Sequence, residues 1–238
     1  MSLNLPPVDK PKKEIIKPKP LFNKEKFAEA FKKGKKVFGY PGAALTWGIN
    51  GIKGMSSLIG INGEEQTAKA LEEYAKNHEG VYIFHSLMWP QSNGDTDHVL
   101  VYKNNIIIID SKRWKSVRKY SISSTGFVMR GTVPFPEGKV KTLHAVNKWR
   151  QALPNFKISA IVCIAQEKIF VQRDRNWYKA PFRLVEIEKL KEQLDYELKN
   201  INPDIPNNYA LLQYLACLTV KPRNLRSELI REDGINRQ

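Results

Sequence analysis

The stretch that most constrains this chain is GDTDHVLVYKNNIIIIDSK, residues 94–112. Two apolar runs flank the polar centre Lys103, Asn104 and Asn105, which predicts two β-strands joined by a tight turn. Asp97 stands near the start of the first strand, and Asp110 and Lys112 stand at the end of the second. Strand side chains alternate between faces, so Asp110 and Lys112 share one and Ser111 points away. A two-residue loop at Asn104-Asn105 sets Asp97 opposite Lys112, and one at Lys103-Asn104 sets it opposite Asp110. Either register gathers Asp97, Asp110 and Lys112 on one face. A three-residue loop would turn Asp97 away, because a one-residue slip exchanges the faces. Ile106 to Ile109 show no polar alternation, as expected of a central strand covered on both sides.

The rest of the chain supplies elements to cover that strand. Residues 63–77, GEEQTAKALEEYAKN, have helical spacing, with Ala68, Leu71 and Ala75 on the buried side. Glu64 falls on that same side, where a carboxylate needs a partner or a metal; a place in the first helical turn is the competing explanation. Residues 80–88 and 158–165 read as strands, and EKIFVQRD as a shorter edge strand. SISSTGFVMRG reads as a hairpin turning near Thr125-Gly126. Residues 137–153 read as a helix with Val140, Leu143, Val146, Trp149 and Leu153 as its apolar stripe. Residues 186–199 and 207–217 also read as helices, while residues 41–62 resist assignment. This order predicts an α/β fold with a mixed central β-sheet flanked by helices on both faces. The expected organisation is a basic, flexible arm over residues 1–40, a core over 41–200, and a C-terminal helix and polar tail over 201–238. Within the arm, NKEKFAEAFKKG predicts a short helix with Asn23 as its N-cap and Phe27 and Phe31 on one face.

Charge narrows the partners. The chain of 238 residues carries a formal net charge of +15, and the arm supplies nearly half of the surplus. Such a surplus favours an acidic partner, nucleic acid before an anionic membrane surface. KRWKSVRKY, residues 112–120, holds five basic residues and no acid. Arg113, Trp114, Lys115, Arg118 and Lys119 are therefore the candidate contacts to nucleic acid, the cations for phosphates and the aromatic ring for stacking. The two cysteines, Cys163 and Cys217, sit in apolar runs and are expected to be buried and reduced. No zinc-type Cys/His spacing occurs, which leaves oxygen ligands and a hard cation such as Mg²⁺ or Mn²⁺. No secretory signal or membrane span is legible, and an intracellular, cytoplasmic protein is the expectation.

Two carboxylates beside a lysine suit phosphodiester hydrolysis. The acids hold a metal that activates water, and the lysine orients or deprotonates that water or neutralises developing charge. Glu64, Asp97, Asp110 and Lys112 fit this scheme, with the Ser111 backbone carbonyl as a further ligand. The succession GINGEE, GDTDHVLV and IIIIDSKRW resembles the NERD (nuclease-related) domain of the PD-(D/E)XK nuclease superfamily over roughly residues 60–165. The resemblance implies a restriction-endonuclease-like core and a Mg²⁺- or Mn²⁺-dependent nuclease acting on DNA, with RNA also open. It assigns Glu64 to the helix acid, Asp97 and Asp110 to the metal-binding acids and Lys112 to the catalytic lysine. His98 matches the D-H pair of the family. Asp110 stands where the family usually carries Glu, and Lys141 where it often carries Gln. A catalytically weak, nucleic-acid-binding accessory factor of the same fold is the alternative, and a basic adaptor with only surface acids is the third.

Overall fold

The computed structural model describes residues 18–44, 54–89, 94–114, 119–131, 133–134, 142–166 and 168–222. In chain order the elements are helix α1 (Lys24–Lys32), β1 (Val37–Phe38), α2 (Gly54–Asn77), β2 (Val81–Met88), β3 (Asp95–Tyr102) and β4 (Asn105–Lys112). Then come β5 (Lys119–Ile122), β6 (Val128–Arg130), β7 (Val133–Pro134), α3 (Thr142–Ala152), β8 (Lys157–Ile164), β9 (Phe170–Val171), α4 (Arg175–Lys179) and β10 (Arg183–Glu186). A 3-10 turn at Ile187–Lys189 leads into α5 (Leu190–Leu198), and α6 (Tyr209–Leu218) follows. Six strands form the main sheet in the order β1-β2-β3-β4-β8-β10, and four form a smaller one, β7-β6-β5-β9.

The main sheet is mixed, as its sequence predicts. β2, β3 and β4 are antiparallel neighbours, whereas β1 joins β2, β8 joins β4 and β10 joins β8 in parallel. The hairpin turns at Lys103-Asn104, with Tyr102 paired to Asn105. Lys103 takes the left-handed conformation (φ 57°) that such a turn requires. Of the two even-length registers, the chain therefore adopts the one that sets Asp97 towards Asp110. Ile106 to Ile109 are at most 1% exposed. Burying each such side chain contributes about 1.5–3 kcal/mol. α2 covers one face of the sheet, with Glu72 beside His85, and α3 covers the other, where Thr142 reaches Asp110.

Several boundaries differ from the sequence reading. α2 begins at Gly54, so Glu64 lies inside the helix rather than in its first turn. EKIFVQRD does not edge the main sheet: β9 pairs with β5 in the smaller sheet, and β10 holds the edge instead. The buried stripe of α3 is Thr142, Ala145, Val146 and Trp149, while Leu143 is only half-buried; Val140 lies outside the described residues. Cys163 is buried, its thiol pushed up to about 12 by burial, but Cys217 is half-exposed.

The described part of the arm, from residue 18 on, packs against the rest of the fold. Asn23 caps α1 through Lys26, as its side chain predicts. The helix then packs inward, with Phe27 and Phe31 against Tyr209 at ring distances of 5.4 and 5.1 Å. β1 enters the main sheet, and Lys36 donates to the carbonyls of Ala75 and His78, closing the C-terminal end of α2. α1 and β1 thus pack onto the core through Phe27, Phe31 and Phe38, and residues 1–17 of the expected arm lie outside the described residues. The periodicity of Phe27 and Phe31 carries that information, but lysine density masks it.

Gly39 makes this junction possible. It has φ 86°, and a β-carbon there would lie 2.2 Å from the backbone oxygen of His85. Gly39→Ala is expected to cost about 3 kcal/mol or more, from backbone strain and forced displacement of β2 together. A urea unfolding midpoint unchanged from wild type would contradict that packing.

Candidate active site

The site forms where β3 and β4 part. Ladder pairing between them stops at His98 and Ile109. Beyond it, the side chain of Asp97 replaces a strand carbonyl, and its Oδ2 accepts the amide of Ser111 at 2.7 Å. On the other side, β2 and β3 pair at His85 with His98 and again at Leu87 with Thr96, skipping Ser86 and Asp97. Ser86 sits at φ 50°, an uncommon conformation for a residue with a β-carbon, anchored by its hydroxyl on the Tyr40 carbonyl at 2.8 Å. Such an irregularity beside a splayed strand re-aims a side chain, and here that side chain is Asp97.

Asp97, Asp110 and Lys112 line one cavity of about 510 Å³, together with Trp89, Thr96 and Thr142. Lys112 Nζ donates to Asp110 Oδ1 and, at 3.3 Å, to the Ser111 carbonyl. The second oxygen of Asp110 accepts the Thr142 hydroxyl at 2.5 Å. Glu64 stands behind this group, 5% exposed, its Oε2 accepting the Gly42 amide at 2.8 Å. The four residues predicted from sequence are thus brought into one electrostatic unit.

Negative charge exceeds positive charge in that unit. Burial pushes the Glu64 carboxyl up to about 7; the Gly42 hydrogen bond opposes the rise, and repulsion from Asp95 adds to it. Asp97 keeps some surface on the cavity, yet its carboxylate is packed among protein groups. That desolvation, then Glu64 and Asp110, hold it well above the ordinary aspartate range. Burial disfavours the Lys112 charge, but Asp110, Asp97 and Glu64 outweigh it and hold the ammonium above the ordinary lysine range. Lys112 is therefore firmly protonated, which suits charge neutralisation and disfavours proton abstraction.

The donor set is all oxygen, which fits a hard divalent cation, and the raised carboxyls mark a surplus of negative charge that such a cation would relieve. Among the described residues, however, no three acidic, His or Cys side chains already stand together as ligands for a metal ion. Lys112 takes part of the place a cation would fill. Asp97, Asp110 and the Ser111 carbonyl are the groups that would hold one.

His98 lies on the opposite face, fully buried, its Nε2 2.9 Å from the Ser111 hydroxyl. Burial, then the neighbouring His85, holds its imidazole well below the ordinary histidine range. Among the cavity residues that escaped the sequence reading are three able to take part in its chemistry. Thr142 and His144 enter from α3, and Asp95 precedes Asp97 by two positions. The D-x-D spacing was a legible sign of Asp95, whereas nothing local marked Thr142.

The predicted nucleic-acid contacts divide. Arg113 is half-buried and Lys119 exposed, its ammonium 5.9 Å from the ring centroid of exposed Phe170. Trp114 is only 6% exposed and packs on Tyr120 at 4.9 Å, so its ring is core and offers no open stacking face. Lys115 and Arg118 lie outside the described residues.

A mixed sheet whose splayed strand ends present carboxylates and a lysine in an open cavity is consistent with a nuclease-like α/β core. Residues 59–165 match the family model of a nuclease-related domain (NERD). The matched segment runs from α2 through β8 and contains all four candidate residues. No curated protein and no solved structure shows a match to the chain. Among the described residues, no helix is long and apolar enough to cross a membrane.

Proposed function

We propose that this protein is a metal-dependent deoxyribonuclease that hydrolyses phosphodiester bonds at the Glu64, Asp97, Asp110 and Lys112 site. The observation that carries the reading is the excess of buried carboxylate around one protonated lysine, open to a cavity. Asp97, Asp110 and the Ser111 carbonyl would hold Mg²⁺ or Mn²⁺. When bound, the metal supplies a Lewis acid and lowers the pKa of water. Lys112, kept protonated, neutralises charge developing on the phosphate oxygens. Thr142 fixes the carboxylate plane of Asp110, and Glu64 adds negative charge that favours the cation. The net charge of +15 supports a polyanionic substrate, with Arg113, next to Lys112 in the chain, and the exposed Lys119 as phosphate contacts. Lys115 and Arg118 complete the same basic segment.

The lysine–aspartate pairing also supports a second reading, in which the site is closed to metal and the protein binds nucleic acid without cutting it. Calorimetric titration with Mg²⁺ or Mn²⁺ separates the two. The nuclease reading expects binding accompanied by proton release between pH 6 and 7, because Glu64 holds a proton there. Asp97→Asn and Asp110→Asn should each weaken it at least about tenfold. Absence of binding at millimolar metal would favour the non-cutting reading.

A further inference from the structure

Ser111, the residue between Asp110 and Lys112, is held at three atoms. Its amide donates to Asp97 and its carbonyl accepts from Lys112. Its hydroxyl, on the far side of the sheet, meets His98 Nε2. That third tether continues inward. His98 Nδ1 lies 2.8 Å from His85 Nδ1, the two rings meeting at 89°. Both rings are fully buried. His85 Nε2 lies 3.4 Å from Oε1 of the half-exposed Glu72, an electrostatic pairing too far off line to be a formed hydrogen bond.

Two neutral imidazoles joined through Nδ1 need one proton between them. If His85 supplied it, the bare lone pair of its Nε2 would face the Glu72 carboxylate. If His98 supplies it, His85 directs an Nε2–H at Glu72, and His98 Nε2 is left to accept from Ser111. Only the second arrangement places unlike charges together along the whole chain. We propose that the Glu72 carboxylate orients the hydrogen-bonded pair His85 and His98, which positions Ser111 from behind the site, and with it the spacing of Asp110 and Lys112. His98 and His85 are positioning residues that touch no reacting atom. Only the consequence for cleavage rests on the nuclease reading above.

The orientation is tested without activity, on the metal-free protein, by nitrogen-15 NMR of the imidazoles. The expected result is a proton on Nδ1 of His98 and on Nε2 of His85. Glu72→Lys, which sets an ammonium where the carboxylate was, should exchange both assignments. A proton on His98 Nε2 in the wild type, or assignments unmoved by Glu72→Lys, overturns the proposal. For cleavage, Ser111→Ala should lower kcat about tenfold or more with KM for DNA unchanged, and Ser111→Thr should restore it. A wild-type kcat in Ser111→Ala would overturn the positioning role. A wild type that cuts no DNA would instead count against the nuclease reading, and the imidazole protons would still decide this one.

Discussion

Replacing Lys112 by methionine is expected to lower metal-dependent DNA cleavage by about 10²–10³-fold or more and to destabilise the metal-free protein. The activity loss follows from removing the protonated group that, in the proposed reaction, neutralises charge on the phosphate. The stability loss follows from the same geometry, since Lys112 is bonded to Asp110 and pulls on Asp97 and Glu64. Its side chain is 31% exposed and that of Asp110 15%. The penalty should therefore fall short of that for a fully buried pair, at about 2–3 kcal/mol near neutral pH. Mg²⁺ should recover much of this stability, because it neutralises the same carboxylates, but not the cleavage. Equal urea midpoints for wild type and Lys112→Met would show that the carboxylates do not depend on this lysine.

Glu64→Gln should make the metal-free protein more stable at pH 8, although it removes a residue of the site. In the folded protein Glu64 titrates near 7, against 4.5 for the unperturbed group. The native state then binds the proton more tightly than the unfolded chain, so stability falls as pH rises from about 4.5 to 7 and levels off above. The full difference is on the order of 3 kcal/mol, less whatever the coupled Asp97 takes up when Glu64 is silenced. Glutamine keeps an acceptor for the Gly42 amide and carries no charge to desolvate. The measurement is unfolding free energy against pH for both proteins. The curves should meet below pH 4.5 and diverge towards 8, and parallel curves would contradict the buried-charge account. Mg²⁺ affinity should fall in the variant, separating stability from function.

The core of the site was legible because strand alternation is a strict code. Asp110 and Lys112 had to share a face, and an even loop had to bring Asp97 near them. Glu64 was legible from helical spacing, though its helix starts nine residues earlier than its sequence shows, since glycine and serine at 54–60 hide the periodicity. What escaped was tertiary. Thr142 reaches Asp110 across the sheet, and the Ser86 irregularity that aims Asp97 leaves no trace in composition. Charge also misled at two places. The lysines around α1 concealed that its phenylalanine face, and Phe38 after it, pack into the core, where Phe27 and Phe38 are fully buried, and the basic run around Trp114 made a core ring look like a stacking surface. In each case a few apolar contacts outweigh the many solvated charges around them, because lysine stems leave their ammonium groups in water while the rings pack.

Incubating supercoiled plasmid and single-stranded DNA with the protein in Mg²⁺, Mn²⁺ or EDTA, beside Asp110→Ala and Lys112→Ala, decides whether this site cleaves DNA. Cutting by the proposed nuclease should require metal, be abolished by EDTA, and fall at least about a hundredfold in each variant. DNA bound but uncut in every metal, with binding unaltered by either substitution, would contradict it.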